Sequence, residues 1–150
     1  MDVTEALALV MRLCMVAEGL FLSPYLCPAG VPSIGYGSTR YLDGRRVQLS
    51  DPPITREHAL HLLRYEILAN YMPGVLRLSR AADTPGRLAA MTDFAYNIGL
   101  GRLRGSTLIK RVRAGRWDQV PVELRKWVYG GGRRLHGLVK RREAEIALLS

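Results

Sequence analysis

A chain of 150 residues, 48% hydrophobic and 23% charged, can bury one core without staples and is too apolar for a disordered protein. Its two cysteines, Cys14 and Cys27, are too few for a disulfide-built miniprotein, so a reducing place of synthesis is expected. The net charge of +9 is uneven: basic and acidic residues stand at 9 to 9 up to Gly101 and at 13 to 4 from Arg102 onward, a pattern that attracts polyanions (nucleic acid, anionic lipid or an acidic wall polymer) without choosing among them.

The first apolar run, Ala6 to Ala17, is interrupted by Arg12. It is too short to span a bilayer and lacks the basic start of a signal peptide, so stable membrane insertion is not expected. It predicts a helix packed on several sides, with Thr4 as N-cap and Gly19 as stop. Residues 20 to 49 change character. Six prolines and glycines from Pro24 to Gly37 break helices, and Asp43-Gly44, flanked by Thr39–Leu42 and Arg45–Leu49, is a hairpin signal. A small antiparallel sheet or irregular hairpin follows.

Thr55 caps a predicted helix to about Tyr71, interrupted or kinked by Pro73-Gly74. Thr84-Pro85 opens another that runs to Gly99. Ser106 opens a third over Thr107 to Ala114, closed by Gly115. Short helices are expected around Gln119–Tyr129 and Leu138–Leu149, separated by Gly130-Gly131-Gly132. The sum is a single, mostly helical α+β domain over residues 1–150, with one small sheet near the N-terminus.

Glu18 ends the first apolar helix, beside Gly19 and ahead of the Gly/Pro-rich segment. Desolvation there would raise its pKa from a reference of about 4.3, as an acid that protonates a glycosidic oxygen requires. On these features alone, a helix-end Glu paired with an Arg is an equally open reading. His58 and His61 lie at i, i+3 on one helix, but no other ligand cluster supports a metal site. No phosphate loop, Ser-His-Asp arrangement or paired-Cys zinc pattern is present. No metal or cofactor is therefore expected. No nucleic-acid motif accompanies the basic charge, which disfavours nucleic acid as partner.

The string from Glu18 to Thr39 resembles the phage-type lysozymes, glycoside hydrolase family 24. In that family a Glu is followed after eight residues by Asp or Cys, then after five by Thr, then by Ile-Gly-Tyr-Gly. Glu18, Cys27 and Ser33 occupy the three positions with the spacing intact, ahead of Ile34-Gly35-Tyr36-Gly37. Tyr25 matches an aromatic found just before the second position. Asp93-Phe94-Ala95-Tyr96-Asn97-Ile98-Gly99 with Ser106-Thr107-Leu108, and Trp127, Gly131-Gly132 and Gly137 through Glu145, resemble the family's later blocks, so the likeness covers nearly the whole chain.

The resemblance implies a lysozyme-like fold: a hairpin lobe over about 18–54, a connecting helix from about 55, and a helical lobe over about 80–150 that includes the N-terminal helix. It implies an endolysin that hydrolyses the β-1,4 bond between N-acetylmuramic acid and N-acetylglucosamine of bacterial peptidoglycan. The expected catalytic set is Glu18, Cys27 and Ser33, with Tyr25, Tyr36, Tyr96, Asn97, Ser106, Arg141 and Arg142 toward substrate. Asn97 could instead serve the backbone internally. Either Arg141 or Arg142 would face Glu18, unless both belong to a solvated helix face. Cys27 stands where Asp is common; a thiol of pKa about 8.5 is only a few per cent ionised at neutral pH. Basic neighbours lowering that pKa, a neutral thiol placing water, or a buried hydrophobe all remain open. A Cys14–Cys27 disulfide holding the enzyme inactive also remains open. Ser33 replaces the usual Thr, and Ser38 stands where many relatives carry His. The implied partners are peptidoglycan and the anionic wall surface. The protein would be a monomer held in the host bacterial cytoplasm until release to the wall or periplasm. A lytic transglycosylase and a noncatalytic cationic binder are the alternative readings.

Overall fold

The computed structural model describes residues 1–150. Helix α1 (Val3–Glu18) is capped by Asp2, whose carboxylate accepts from the N–H groups of Thr4 at 2.9 Å and Glu5 at 3.4 Å. Thr4, the expected cap, is one of the groups being capped. A carboxylate satisfies two orphan donors and also meets the positive end of the helix dipole. The expected packing on several sides holds in part: Leu7, Leu9, Met11 and Met15 lie partly buried against the main core beside the helix's fully buried residues. The helix fully buries one stripe, Ala6, Val10 and Cys14, while Val16 is 81% exposed. Four-residue spacing puts Glu18 next on that stripe. Gly19 ends the helix at a φ of 73°, donating its N–H to Met15 O.

Strands β1 (Phe21–Leu26) and β2 (Pro32–Gly35) form an antiparallel hairpin in which Tyr25 faces Ser33 and Leu26 faces Pro32. The sequence favoured strands around Asp43-Gly44 instead. That segment does turn, with Tyr41 N–H on Arg45 O and Val47 N–H on Thr39 O, but it makes a single ladder bridge, Arg40 to Arg46. Two cations face each other there, an unfavourable cross-strand pair. Tyr41 and Val47 meanwhile point into a small second core with Ile34 and Leu62.

The connector is α2 (Arg56–Glu66), a π-helical turn (Ile67–Tyr71) and α3 (Met72–Leu78), continuous through Pro73-Gly74. Thr55 caps it by accepting from His58 N–H. Pro73 has no N–H to give, and its ring would crowd the carbonyl four residues back in an α-helix. The widened turn, in which Met72 N–H bonds to Ile67 O five residues earlier, removes that conflict without a break. It also keeps the buried Ile67 and Met72 on one face.

Helix α4 (Pro85–Ile98), capped by Thr84, is the central element; every residue from Leu88 to Ala95 is buried. Around it stand α5 (Leu100–Arg104), a short turn the sequence reading lacked, α6 (Thr107–Arg113), α7 (Val120–Leu124) and α8 (His136–Ile146). The sheet near the N-terminus is not the only one. The predicted helix around Gln119–Tyr129 stops at Leu124, and β3 (Tyr129–Gly130) pairs with β4 (Arg133–Arg134) across Gly131 and Gly132. Both turn residues have positive φ, 59° and 77°, as a two-residue primed hairpin turn requires. The Gly-Gly pair read as a separator is therefore a hairpin turn.

The end of the chain packs on the start of α4. Arg87 Nε donates to Leu149 O, and a Cβ added at Gly86 would fall 2.0 Å from Leu148 O. Gly86→Ala is expected to destabilise the fold by about 2 kcal/mol, lowering Tm by roughly 5 °C in a thermal melt.

Candidate active site

Three helices bring five ionisable groups together behind the first hairpin. Helix α1 supplies Glu18 and, one turn earlier, Cys14; α4 supplies Asp93; α8 supplies Arg141 and Glu145. Arg141 is the hinge-pin of the group, its side chain 5% exposed. Its Nη1 donates to Glu18 Oε2 at 2.5 Å, while Nε and Nη2 grip the two oxygens of Asp93 at 2.9 and 2.8 Å. Asp93 is fully buried and also accepts from the Cys14 thiol at 3.3 Å. Burial alone would raise the Asp93 carboxyl. The Arg141 charge, with hydrogen bonds from Glu145, Arg141 and Cys14, holds it below the ordinary carboxylate value.

Glu145 takes the opposite course. Burial first, then its hydrogen bond with Asp93 and that group's negative charge, push its carboxyl well above the ordinary range. Two coupled carboxyls in one apolar site are pushed apart in this way, Asp93 down and Glu145 up, while Arg142 meets both Glu145 oxygens at 2.8 and 2.9 Å. Arg142, the second arginine, does not face Glu18. It is wholly buried, donates to Asn97 Oδ1 at 2.8 Å and Glu145 Oε2 at 2.9 Å, and lies over the Phe94 ring. Neither arginine belongs to a solvated face.

Glu18 itself is 22% exposed, so it touches water on the hairpin side. Gly37 covers it. A Cβ there would lie 2.9 Å from Glu18 Oε1, and the residue's φ of +85° suits glycine independently. Gly37 is held in place by the reciprocal backbone bonds of Ile34 and Ser38, both 2.9 Å. Tyr25 stacks on Phe21 at 4.1 Å. Burial, and then the charges of Glu18 and Cys27, raise its phenol above the ordinary value.

Cys27 is partly exposed at the hairpin tip. Its N–H bonds to Val31 O at 3.0 Å, and its sulfur accepts from Val31 N–H at 3.4 Å. Cys14 is buried and both thiols are free, so there is no disulfide between them. Ser33 departs from expectation. Only 1% exposed, it donates its hydroxyl to Val31 O at 3.0 Å, bracing the same residue that holds Cys27. Ser38 is buried with its hydroxyl unpaired.

The other expected substrate contacts divide. Tyr96 donates its hydroxyl to Tyr36 O at 2.7 Å, pinning α4 to the hairpin, and meets the Tyr71 ring edge-on. Tyr36 packs in the main core and turns no side chain to solvent. Ser106 is an internal cap, 6% exposed: its hydroxyl donates to Leu103 O at 2.7 Å and accepts from Ile109 N–H at 3.1 Å, so its proton is committed within the fold. Asn97 serves Arg142, the internal role its sequence position left open. No group of three His, Cys, Asp or Glu side chains converges to hold a metal.

Asp93, Glu145, Cys14 and Gly37 lie in segments the sequence reading named but are absent from its expected catalytic and substrate-binding set. A signal existed: Asp93 lies four residues from Ala89 and three from Ala90, on the buried face of an apolar helix, where an unpaired carboxylate would be prohibitive.

Two outcomes follow from this geometry. Gly37→Ala is expected to displace the Glu18 carboxyl and cost the protein any activity that needs it, by about tenfold or more, with the melting temperature read alongside. Burial, then the Asp93 charge, raise the Cys14 thiol well above its ordinary value. A raised folded-state value means full stability below the unfolded thiol's pKa of about 8.5 and a loss of about 1.4 kcal/mol per pH unit above it. Urea midpoints between pH 8 and 9.5 should fall more steeply for wild type than for Cys14→Ala.

A family model of phage lysozymes matches residues 15–145. The endolysin of Acyrthosiphon pisum secondary endosymbiont phage 1 is 35% identical over 135 residues, covering 87% of this chain and 88% of its own. The endolysin of Bacillus phage B103 is 40% identical over 95 residues, covering 63% of this chain and 36% of its own. The chain thus spans about a third of the length of that longer relative. Among solved structures, an endolysin from the Escherichia coli O157:H7 phage FAHEc1 superposes with a TM-score of 0.81 at 28% identity, over 99% of this chain and 93% of the other. With this architecture and the matched motif around Glu18, the chain belongs to the phage lysozyme family.

Proposed function

We propose that the protein is an endolysin that hydrolyses the β-1,4 bond between N-acetylmuramic acid and N-acetylglucosamine in bacterial peptidoglycan and so lyses the host. The observation that carries this reading is the seating of Glu18. It is a partly buried carboxyl at a helix end, fixed by Arg141 and covered by Gly37, and still 22% exposed. A carboxylic acid so placed can protonate the oxygen that leaves when the glycosidic bond breaks.

Cys27 supplies the second position. Its thiol sits at the hairpin tip, partly open, with its lone pair engaged by Val31 N–H. This geometry suits a group that places the attacking water rather than one that attacks the sugar. Ser33 acts one step behind, through Val31, instead of touching that water. Tyr25 and Phe21 offer an aromatic face for a sugar ring. The excess cations lie on the helical lobe, where Arg102, Arg104, Lys110, Arg111, Arg113, Arg116, Arg133 and Arg134 are all exposed. They draw a monomeric enzyme to the anionic wall, and nucleic acid is not its partner. No helix is long and apolar enough to cross a membrane. We place the protein in the host cytoplasm until it is released to the wall.

Turbidity loss of purified peptidoglycan tests this directly. Glu18→Gln should clear it about a hundredfold more slowly or not at all, and Cys27→Ala should be slowed by about tenfold, both with unchanged circular dichroism. Product masses should show one water added per cleavage. Anhydro products would make the protein a transglycosylase, and full activity of Glu18→Gln would remove the assignment.

A further inference from the structure

We propose that Asp93 is a positioning residue for the reaction: it grips Arg141 in a fully buried site, sets the guanidinium that meets Glu18, and offsets its charge. The inference rests on Glu18 being the proton donor. Arg141 spends Nε and Nη2 on Asp93 and offers only Nη1 to Glu18. The pairing is therefore lopsided: two aligned bonds to the buried carboxylate and one to the accessible one. Bidentate contact fixes the guanidinium plane as well as its place, and the plane determines where the free Nη1–H points.

The charge has to be considered as well. A lone guanidinium beside Glu18 favours the ionised carboxylate, the form that has no proton to give. Asp93 places a full negative charge on the far edge of the same guanidinium. The net field at Glu18 is then that of a nearly neutral pair, while the hydrogen bond that orients the carboxyl is kept. Two further contacts hold Asp93 in this role. The Cys14 thiol donates to it from α1 at 3.3 Å. Glu145, buried on the same helix as Arg141, has its carboxyl raised by burial and then by its hydrogen bond with Asp93. Arg142, packed against Glu145 and Asn97, completes the buried set.

The test is the pH dependence of kcat and KM on purified peptidoglycan for wild type, Asp93→Asn and Arg141→Lys, with Glu18→Gln as the inactive reference and circular dichroism on each. Asp93→Asn leaves the Arg141 charge unopposed. The alkaline limb of its rate profile should move down by about one pH unit, with kcat reduced about tenfold. A folded Asp93→Asn protein whose alkaline limb stays where wild type has it overturns the proposal, whatever happens to its rate. If that variant does not fold, Arg141→Lys decides. A lysine ammonium keeps the charge but has no planar fork to hold two carboxylates, so kcat should fall at least tenfold while KM changes less than twofold. Undiminished kcat in Arg141→Lys overturns the proposal equally. An active Glu18→Gln protein would instead indict the assignment of the proton donor, a separate failure visible in the reference arm.

Discussion

One guanidinium shared between two carboxylates organises this protein. Arg141 reaches from the last helix to Asp93 on the central helix and Glu18 on the first, tying together the three elements that define the helical lobe. Breaking such a contact costs more than making it yields, because each partner left behind is a charge out of water. The arrangement therefore serves specificity: α1, α4 and α8 pack in one relation, the one in which these groups meet. The stripe of Ala6, Val10 and Cys14 supplies the apolar energy for that packing, and Glu18 is where the stripe runs out into solvent.

The hairpin and the helices divide the work. Helices place the acid and govern the charges behind it. The hairpin supplies what lies in front: the Gly37 backbone over the carboxyl, the stacked Phe21 and Tyr25 rings, and Cys27 at its tip. Tyr96 couples the two by donating to Tyr36 O, so the roof over Glu18 is fastened to the same helix that carries Asp93. Ser33 is part of the fastening and not of the opening, since its proton is committed to Val31.

Local chemistry was legible in the sequence where it was strong. Thr55, Thr84 and Ser106 each cap the helix they were read to open, and residues 20 to 49 hold the small antiparallel hairpin expected of them. Readings failed where tertiary contacts outbid local signals. Asp43-Gly44 turns, but its flanks turn Tyr41 and Val47 inward instead of extending a ladder. Gly131-Gly132 looked like a break because β-strands of two residues have no periodicity to detect. Ser106 was read both as a helix opener and as a sugar contact because a short hydroxyl suits either role, and the structure shows it capping α6. The Arg141–Asp93–Glu145 set was hidden for a different reason: its members are 48 and 4 residues apart, and only the packing of α4 on α8 makes them neighbours.

The π turn in the connector has a consequence for mechanics. Helix α2 contributes Leu62 to the small core under the hairpin and Ala59 and Leu63 to the main core, which Ile67, Met72 and Val75 continue past the turn. One rod serves two cores, and its widened turn lies within the stretch that serves the larger one. Backbone bonds spanning five residues are less well aligned than those spanning four, so stiffness drops at that point and stays high on either side. The softer turn is thus clamped on both sides by one core, Ala59 and Leu63 before it and Met72 and Val75 after it, and the rod carries the proline without losing its seat against the helices.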